Sequence, residues 1–457
     1  MSSDLGALLM RSTVPVTGCT EPAAVALATS LAAAVARGEI PAWAGAAAAP
    51  PAPAGEERIE LVDLRTVRSL YKNVVAVGIP NAGTRTGIDL AAALGPSLDC
   101  GERLALLAAV GPEVLRAARG LLADGVVAIQ VQEAHEDVLF LEARVVLTRG
   151  GERHVGEVVI RGEHDAVHLV RRDGRPLRTA TTGGGSGTTA SGVTAPDPAR
   201  WTIAELIAAA RTLSPEVRAH LLRGVAINRA AAEAGRTRRL GAGVGAMLAG
   251  LADRGRLARD VTLDAKIAAA SAADARMSGH GIEVMSSAGS GNQGIVVTLP
   301  VAAVAEFVGA DDDRLAAALA LGHGLTARMT HHTGVLAALC GCVVKAGIGA
   351  AAGAALLLDP TAKAVPPAVQ NMAGNITGEI CDGAKVGCAF KIATAAGAAL
   401  ESALLAHEGV SIPPSNGILG PDADATLANI GEIARSMRDV DCATVRILER
   451  KRAVVGY

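Results

Sequence analysis

The sequence predicts an α+β protein, with an N-terminal α+β domain carrying an antiparallel sheet and an all-helical domain after it. Four short segments between 126 and 172 are rich in β-branched residues and separated by polar turns. A Gly-, Ser-, Thr- and Pro-rich stretch follows at 175–200. Beyond it, Ala, Leu and Gly recur at helical spacing. We therefore divide the chain into a domain at 1–174, a linker at 175–200 and a helical domain at 201–457.

The N-terminal domain begins with helix. Residues 5–37 have helical character, interrupted at the turn GCTEP. Residues 42–57 are rich in Ala and Pro, which predicts a flexible surface insertion. The four predicted strands are VVAIQVQ, LFLEARVVLT, HVGEVVIRG and AVHLVRR. Helices near 87–94 and 104–121 are expected to pack on their sheet.

Composition limits the partners. The net charge is −2 and aromatic residues make up only 2%, which disfavours nucleic-acid binding and favours a small-molecule substrate.

The first residues lack the pattern of a signal peptide, so we expect a cytoplasmic protein. The most apolar stretch, 333–358, contains Lys345 and several glycines. It indicates a buried helix, and we expect no membrane partner.

Four of the seven cysteines lie within a stretch of 49 residues: Cys340, Cys342, Cys381 and Cys388. In a reducing compartment, clustered cysteines indicate a metal or catalysis rather than disulfides. Three thiolates and an open position suit an iron–sulfur cluster whose iron acts as a Lewis acid. Structural zinc is less favoured because the chain has no CxxC knuckle. We expect one of the CGC pair to be a ligand, since residues two apart on a helix point in different directions.

The turn GCTEP places a thiol, a hydroxyl and a carboxylate on three consecutive residues: Cys19, Thr20 and Glu21. Thr20 or Glu21 could equally cap the helix that follows. That alternative leaves the cysteine unexplained, so we predict a functional Cys19, with Glu21 as a competing base. Cys100 and Cys442 have no such neighbours and are interpreted as small buried apolar residues.

Two glycine-rich loops are candidates for substrate binding. The segment SSAGSGNQGI frames Ser290, Asn292 and Gln293 with glycines, and such a loop can present N–H groups to a carboxylate. It has no P-loop ending, which argues against nucleotide binding. Asn81 lies in a second polar loop after a strand-like run. Ordinary turns remain the alternative for both loops.

Six motifs occur in a fixed order: GCTEP, YKN…GIPNAGTRTG, DARMSG, SAGSGNQGI, CGC and NMAGNITGEICDGAKVGCAFK. In this order they resemble the iron–sulfur L-cysteine desulfidase family, which is related to the iron–sulfur-dependent L-serine dehydratases. The resemblance extends from Cys19 to Lys391 and implies a [4Fe-4S] cluster in the helical domain. Its cysteine ligands would be Cys381, Cys388 and one of the CGC pair. Spacing favours Cys340, with Cys342 as a near-equal alternative.

The resemblance also implies an activity, the β-elimination of L-cysteine to pyruvate, ammonia and sulfide. L-serine or another β-substituted L-amino acid is the alternative substrate, and a redox-sensing cluster protein is the alternative of another class. Cys19 would act at the active site, as a base or as a ligand to the open iron. His331 and His332 stand where the family usually has a lysine, so we expect His332 near the substrate. A homodimer is one option for the assembly. The expected substrate-binding residues are Thr20, Asn81, Ser290, Asn292, Gln293 and His332.

Overall fold

The structure is a computed structural model that describes residues 2–83, 85–132, 139–179 and 197–455. It contains a sheet layer with helices on it and a bundle of helices. The N-terminal helices are α1 (Ser2–Ser12), α2 (Thr20–Arg37), α3 (Arg68–Val74), α4 (Ile88–Leu94) and α5 (Pro112–Ala123). The later helices are α6 (Ile203–Ala210), α7 (Pro215–Arg238), α8 (Val244–Asp253), α9 (Val261–Met277), α10 (Gly291–Phe307), α11 (Asp312–Thr333), α12 (Val344–Leu358), α13 (Val365–Ile376), α14 (Cys388–His407), α15 (Ala423–Ser436) and α16 (Arg438–Val455).

Short 3₁₀ helices connect several of these elements, at Ala42–Ala44, Gly95–Ser97, Cys100–Ala109 and Pro198–Arg200. The strands are β1 (Pro15–Thr17), β2 (Glu57–Val67), β3 (Val127–Gln132), β4 (Phe140–Arg149), β5 (Glu152–Arg161), β6 (Val167–Arg172), β7 (Arg175–Thr179) and β8 (Glu283–Met285). The α+β class is thus confirmed, and β3 to β6 are the four strands that the sequence predicts.

The six-stranded sheet has the order β3-β2-β4-β5-β6-β7. All neighbouring strands are antiparallel except β2 and β3, which run parallel. The expectation of a purely antiparallel sheet is therefore wrong. The physical reason is the connection from β2 to β3, which contains α3, α4 and α5 and crosses over the sheet instead of turning back as a hairpin.

Helix α2 covers one face of this sheet. Its residues from Pro22 to Ala36 are buried. Most are alanine, which lets a helix approach a sheet closely. Gly156 on β5 makes the same contact possible, because a Cβ there would collide with the carbonyl oxygen of Ala32. This packing fixes the start of α2, where Cys19 precedes Thr20.

The helical bundle surrounds α12, an Ala- and Gly-rich helix that is buried over nearly its whole length. Helices α10, α11, α13 and α14 pack around it. A Cβ at Gly349 would collide with the carbonyl oxygen of Gly322 on α11, so the glycines let these two helices touch along their backbones. This bundle carries the cysteine-bearing loops that precede α12 and α14.

Each end of the chain packs against the core that the opposite part of the chain forms. Leu5 and Leu9 of α1 belong to the core of the helical bundle, and β1 pairs with β8. Val445 and Leu448 of α16 belong to the core under the sheet. The sequence-based division into 1–174 and 201–457 stays a prediction, and the structure adds that segments are exchanged between its two cores.

The predicted insertion and linker contain ordered contacts where they are described. In the 42–57 segment, the backbone N–H of Ala47 donates to Leu177 and that of Ala52 to Arg37. Ala44 is buried within the same segment. The first residues of the predicted linker form β7, and residues 180–196 of that linker lie outside the described residues.

Within the described parts of the chain, α14 alone combines the length and apolar composition that a membrane span needs. The structure buries 61% of its apolar window. A core helix of a folded domain meets the same two criteria.

Candidate active site

Two cysteine-bearing loops lie side by side in the helical bundle. The N–H of Cys340 donates to the carbonyl of Glu379 over 2.8 Å, and the N–H of Cys381 donates to Ala338 over 2.7 Å. These reciprocal bonds form a short antiparallel bridge between the segments that lead into α12 and α14. The chain then turns back, so that the Cys388 thiol faces the carbonyl of Gly383 over 3.8 Å. Cysteines about forty residues apart in sequence are thereby brought together.

The CGC segment is a turn ahead of α12, not part of the helix. The thiols of Cys340 and Cys342 interact with each other, which lowers the pKa of Cys340 and raises that of Cys342. Negative charge on Cys381 or Cys388 also raises the pKa of Cys342. The four thiols are therefore close enough for the charge of one to act on the others.

The set of donors fits an iron–sulfur cluster. No three His, Cys, Asp or Glu side chains of the described residues are arranged to hold a single metal ion. A cluster is larger than one ion and is held by cysteine thiolates, so its ligands stand further apart. Four mutually interacting thiols, none in a disulfide, are soft ligands of the required kind.

Lysine side chains surround these thiols with positive charge. Lys345 is fully buried, donates to the carbonyl of Gly334 over 2.5 Å, and interacts electrostatically with the cysteines. Burial lowers the pKa of Lys345 to about 8. Lys391 donates to the carbonyl of Ile380 over 2.7 Å. Lys72, also buried, donates to the carbonyl of Cys381 over 3.0 Å. These charges suit a group bound through anionic thiolates.

Cys19 reaches the cysteine group from the other end of the chain. It occupies the N-cap position of α2, and its thiol is buried 3.8 Å from the sulfur of Met277. Cys388 packs against the small apolar cluster that these two residues form with Val77. Burial raises the pKa of the Cys19 thiol to about 12, and the Arg276 guanidinium opposes that rise. The fold therefore brings the predicted N-terminal thiol to the predicted cluster ligands.

The rest of GCTEP is held against the glycine-rich loop. The Thr20 hydroxyl donates to the carbonyl of Gly289 over 3.5 Å. No side-chain hydrogen bond caps α2, so capping does not account for this motif. The charge of Glu21 acts on Cys19 and on the buried His164. Thr20 and Glu21 thus lie beside the predicted catalytic thiol.

The loop SSAGSGNQGI leads from β8 into α10. Ser290 is the N-cap of that helix, and its backbone exchanges two 3.0 Å hydrogen bonds with Ser287. His323 supports the loop from behind, with its Nδ1 atom 2.9 Å from the Ser287 hydroxyl. Asn292 and Gln293 are buried at the start of α10. The Oδ1 and Oε1 atoms of these two side chains have no partner among the described residues.

Arg276 is a site residue that the sequence reasoning missed. It lies near the end of α9, is 4% exposed, and its positive charge acts on the Cys19 thiol. Its Nη1 atom is 3.5 Å from the sulfur of Met277. A Cβ at Gly291 would collide with its Nε atom, so this glycine makes room for the guanidinium. In the sequence, the feature that points to this residue is an arginine within the motif DARMSG, at the end of an Ala-rich apolar helix.

Two other predicted residues lie further out. Asn81 is exposed, in the left-handed region at a φ of 61°, and its N–H donates to Gly279 over 3.1 Å. That contact places its loop beside the end of DARMSG. His332 instead faces α15, where Arg435 donates to its carbonyl over 3.3 Å. The contacts of His332 in the described structure do not join it to the group around Cys19.

Comparison with known proteins identifies the family. Residues 166–445, more than half of the chain, match the serine dehydratase alpha chain family. A UPF0597 protein of Desulfatibacillum aliphaticivorans is 34% identical over 97% of this chain and 98% of its own length. UPF0597 proteins of Nitratidesulfovibrio vulgaris and Clostridioides difficile are 37% and 35% identical, over 98% and 93% of this chain and 99% and 94% of their own. These matches confirm the serine dehydratase part of the resemblance. The chain belongs to the serine dehydratase alpha chain family.

Proposed function

We propose that this protein is a [4Fe-4S]-dependent lyase that removes the β-substituent of a small L-amino acid. The observation that carries the proposal is the contact between Cys19 and the cysteine group around Cys388. L-cysteine is the proposed substrate, with pyruvate, ammonia and sulfide as products. L-serine is the second candidate, because the family to which the chain belongs is described as serine dehydratase.

Cys340, Cys381 and Cys388 would hold the cluster, with Cys342 as the alternative to Cys340. Bound there through three thiolates, the cluster supplies an iron with an open coordination position, a Lewis acid that stabilises the departing β-substituent. Lys345 and Lys72 lie close enough to offset the negative charge of the thiolates. Both are buried, so little solvent screens their effect.

Cys19 is the proposed base for the α-proton of the substrate. Its thiol is buried beside the cysteine group, and the positive charge of Arg276 partly offsets the rise in the pKa of Cys19 that burial causes. The α-proton moves to the Cys19 sulfur and the β-substituent leaves with its bonding electrons. The resulting enamine tautomerises to an imine, which water hydrolyses to pyruvate and ammonia. Glu21, two residues away on the same turn, is the alternative base.

The proposal is tested by anaerobic reconstitution with iron and sulfide, followed by assays of pyruvate, ammonia and sulfide. We expect pyruvate and ammonia in equal amounts from L-cysteine or L-serine, with sulfide only from L-cysteine. The Cys381→Ser variant is the control, and it should form none of these products. A brown reconstituted protein that turns over neither amino acid would contradict the lyase and favour a redox sensor. If L-serine is turned over faster than L-cysteine, L-serine is the substrate.

A further inference from the structure

Three buried polar atoms around the start of α10 have no hydrogen-bond partner among the described residues. They are the Nε atom of Arg276, the Oδ1 atom of Asn292 and the Oε1 atom of Gln293. Their side chains are 4%, 3% and 3% exposed, so bulk water does not reach them freely. Buried polar groups are nearly always hydrogen-bonded, because an unpaired one loses its hydrogen bonds to water and gains none in return. One donor and two acceptors at one site therefore indicate a missing ligand with both properties.

The donors at this site converge on a poor acceptor. Cys19 Sγ, Arg276 Nη1 and Asn292 Nδ2 lie 3.8, 3.5 and 3.4 Å from the sulfur of Met277. A thioether accepts hydrogen bonds only weakly. A carboxylate accepts strongly and matches the fork of a guanidinium. The three donors around the Met277 thioether would therefore bind an anionic ligand more strongly than they bind this sulfur.

The site is also built closely around these groups. A side chain at Gly291 would collide with Arg276, and a Cβ at Gly341 of the CGC turn would lie 2.9 Å from the Nε2 atom of Gln293. Gln293 therefore links the loop to the cysteine turn, while Arg276 links it to Cys19. A ligand between them would lie next to both the proposed base and the proposed cluster ligands.

We propose that Arg276 binds the α-carboxylate of an amino acid, and that the side-chain oxygens of Asn292 and Gln293 accept hydrogen bonds from its α-ammonium group. The inference rests on the proposed function for the class of ligand. Arg276 then has two roles, since it orients the substrate and its charge acts on the Cys19 thiol. A site that binds both the carboxylate and the ammonium group selects a zwitterion over a simple acid or amine.

The test measures binding by calorimetry to the anaerobically reconstituted protein, with ligands that cannot react. L-alanine has both groups but no β-substituent to lose, while propionate lacks the ammonium group and ethylamine lacks the carboxylate. We expect wild-type protein to prefer L-alanine to both. Arg276→Gln should weaken L-alanine and propionate about 10- to 100-fold, the usual effect of losing charged hydrogen bonds. Asn292→Leu should weaken L-alanine without weakening propionate.

Arg172→Gln is the matched control, because Arg172 is also buried and its Nε atom also makes no hydrogen bond to the described residues, but it lies on β6. It should bind L-alanine like wild type. Arg276→Lys is a second variant, which keeps the positive charge but loses the forked guanidinium group. Its iron content and thermal midpoint show whether it folds. Wild-type affinity in Arg276→Gln, or no L-alanine binding by the wild type, would overturn the inference. Products are assayed on the same samples. If the wild type forms products but Arg276→Gln binds L-alanine normally, the inference about Arg276 is wrong. The proposed lyase activity is then still supported.

Discussion

The ammonium group of Lys72 lies 2.5 Å from the Oδ1 atom of Asp441, and this pair joins the C-terminal helix α16 to the cysteine loops. Lys72 is fully buried and also donates to the carbonyls of Ala337 and Cys381, over 3.1 and 3.0 Å. A Cβ at Gly383 would collide with the Lys72 carbonyl, so α3 touches the cysteine loop along its backbone as well. The Lys72 side chain thus connects the segment before Cys340 and the backbone of Cys381 with the C-terminal helix.

We predict that Lys72→Met destabilises the protein and weakens retention of the cluster. The change leaves Asp441 and two carbonyls without their donor, and breaking a buried ion pair from one side costs about 3–5 kcal/mol. Urea denaturation of the iron-free protein measures the stability, and iron per chain after reconstitution measures the cluster. Both should fall.

Asp441→Asn should have a smaller effect, because an amide oxygen can still accept from Lys72 and position 441 is partly exposed. Lys363→Met changes an exposed lysine and serves as the control for lost charge. Normal stability and full iron content in Lys72→Met would show that this pair does not hold the loops.

We predict that serine at Cys381 or at Cys388 abolishes the iron–sulfur absorbance after reconstitution. A hydroxyl is a harder and less acidic ligand than a thiol, so a three-thiolate set would be incomplete. Serine at Cys100, which lies in the core under the sheet, or at Cys442, which contacts Arg68, should leave the absorbance intact. Full iron content in Cys381→Ser would show that the ligand assignment is wrong.

The two CGC sulfurs require their own comparison. From spacing we predict that Cys340→Ser loses iron while Cys342→Ser keeps most of it. The two thiols interact closely enough to shift each other's pKa, so the structure does not by itself separate them. Iron and sulfide content of the two variants decides between them, and the reverse result would move the ligand by two residues.

The sequence predicts those parts of the fold that local pattern determines. Segments β3 to β6 are dense in β-branched residues and were found, whereas β2 was missed. In β2, charged residues such as Arg58 and Asp63 alternate with Val62 and Leu64, and its start adjoins the Ala- and Pro-rich segment. The parallel pairing of β2 with β3 depends on a crossover that no local pattern shows.

The candidate site, like the fold, has residues that local pattern reveals and residues that only long-range packing brings together. Cysteines and glycine-rich turns are visible as motifs, so Cys19, Asn292 and Gln293 were identified. Arg276 was not, because burial of one charge depends on contacts with β8 and α10 that lie outside its own helix. The Lys72–Asp441 pair spans 369 residues and was equally invisible. Local pattern identifies the groups that carry chemistry, and long-range packing determines which charged residues support them.

We predict that His323 makes the stability depend on pH. Burial, and the nearby His220, lower the pKa of His323 from 6.5 to about 3. Below pH 6.5 the unfolded chain binds a proton at this residue and the folded chain does not, so stability falls as pH falls from 6.5 toward 3. One such group contributes a slope of about 1.4 kcal/mol per pH unit.

His323→Asn removes this group while keeping a polar partner for Ser287. Urea midpoints of both proteins at pH 7, 6 and 5 give the comparison. The variant should lose less stability than the wild type over this range. Parallel curves would show that His323 does not titrate as its burial requires.

The last prediction separates catalysis by Cys19 from a role in the scaffold. If Cys19 is the base, Cys19→Ala should still assemble the cluster, because Cys340, Cys381 and Cys388 remain. Turnover should fall about a hundredfold to ten-thousandfold, the usual cost of losing a general base. Cys100→Ala is the matched control, since Cys100 is another buried cysteine in the opposite core.

Both variants lose a buried sulfur, so thermal midpoints should drop by similar small amounts while only Cys19→Ala loses activity. A cavity at position 19 could also loosen Met277 and Arg276, which touch the thiol. L-alanine affinity distinguishes that effect, because a lost base leaves ligand binding intact while a displaced Arg276 weakens it. Full turnover by a Cys19→Ala protein with normal iron content would end the role of Cys19 as base. Glu21, on the same turn, would then be the next residue to substitute.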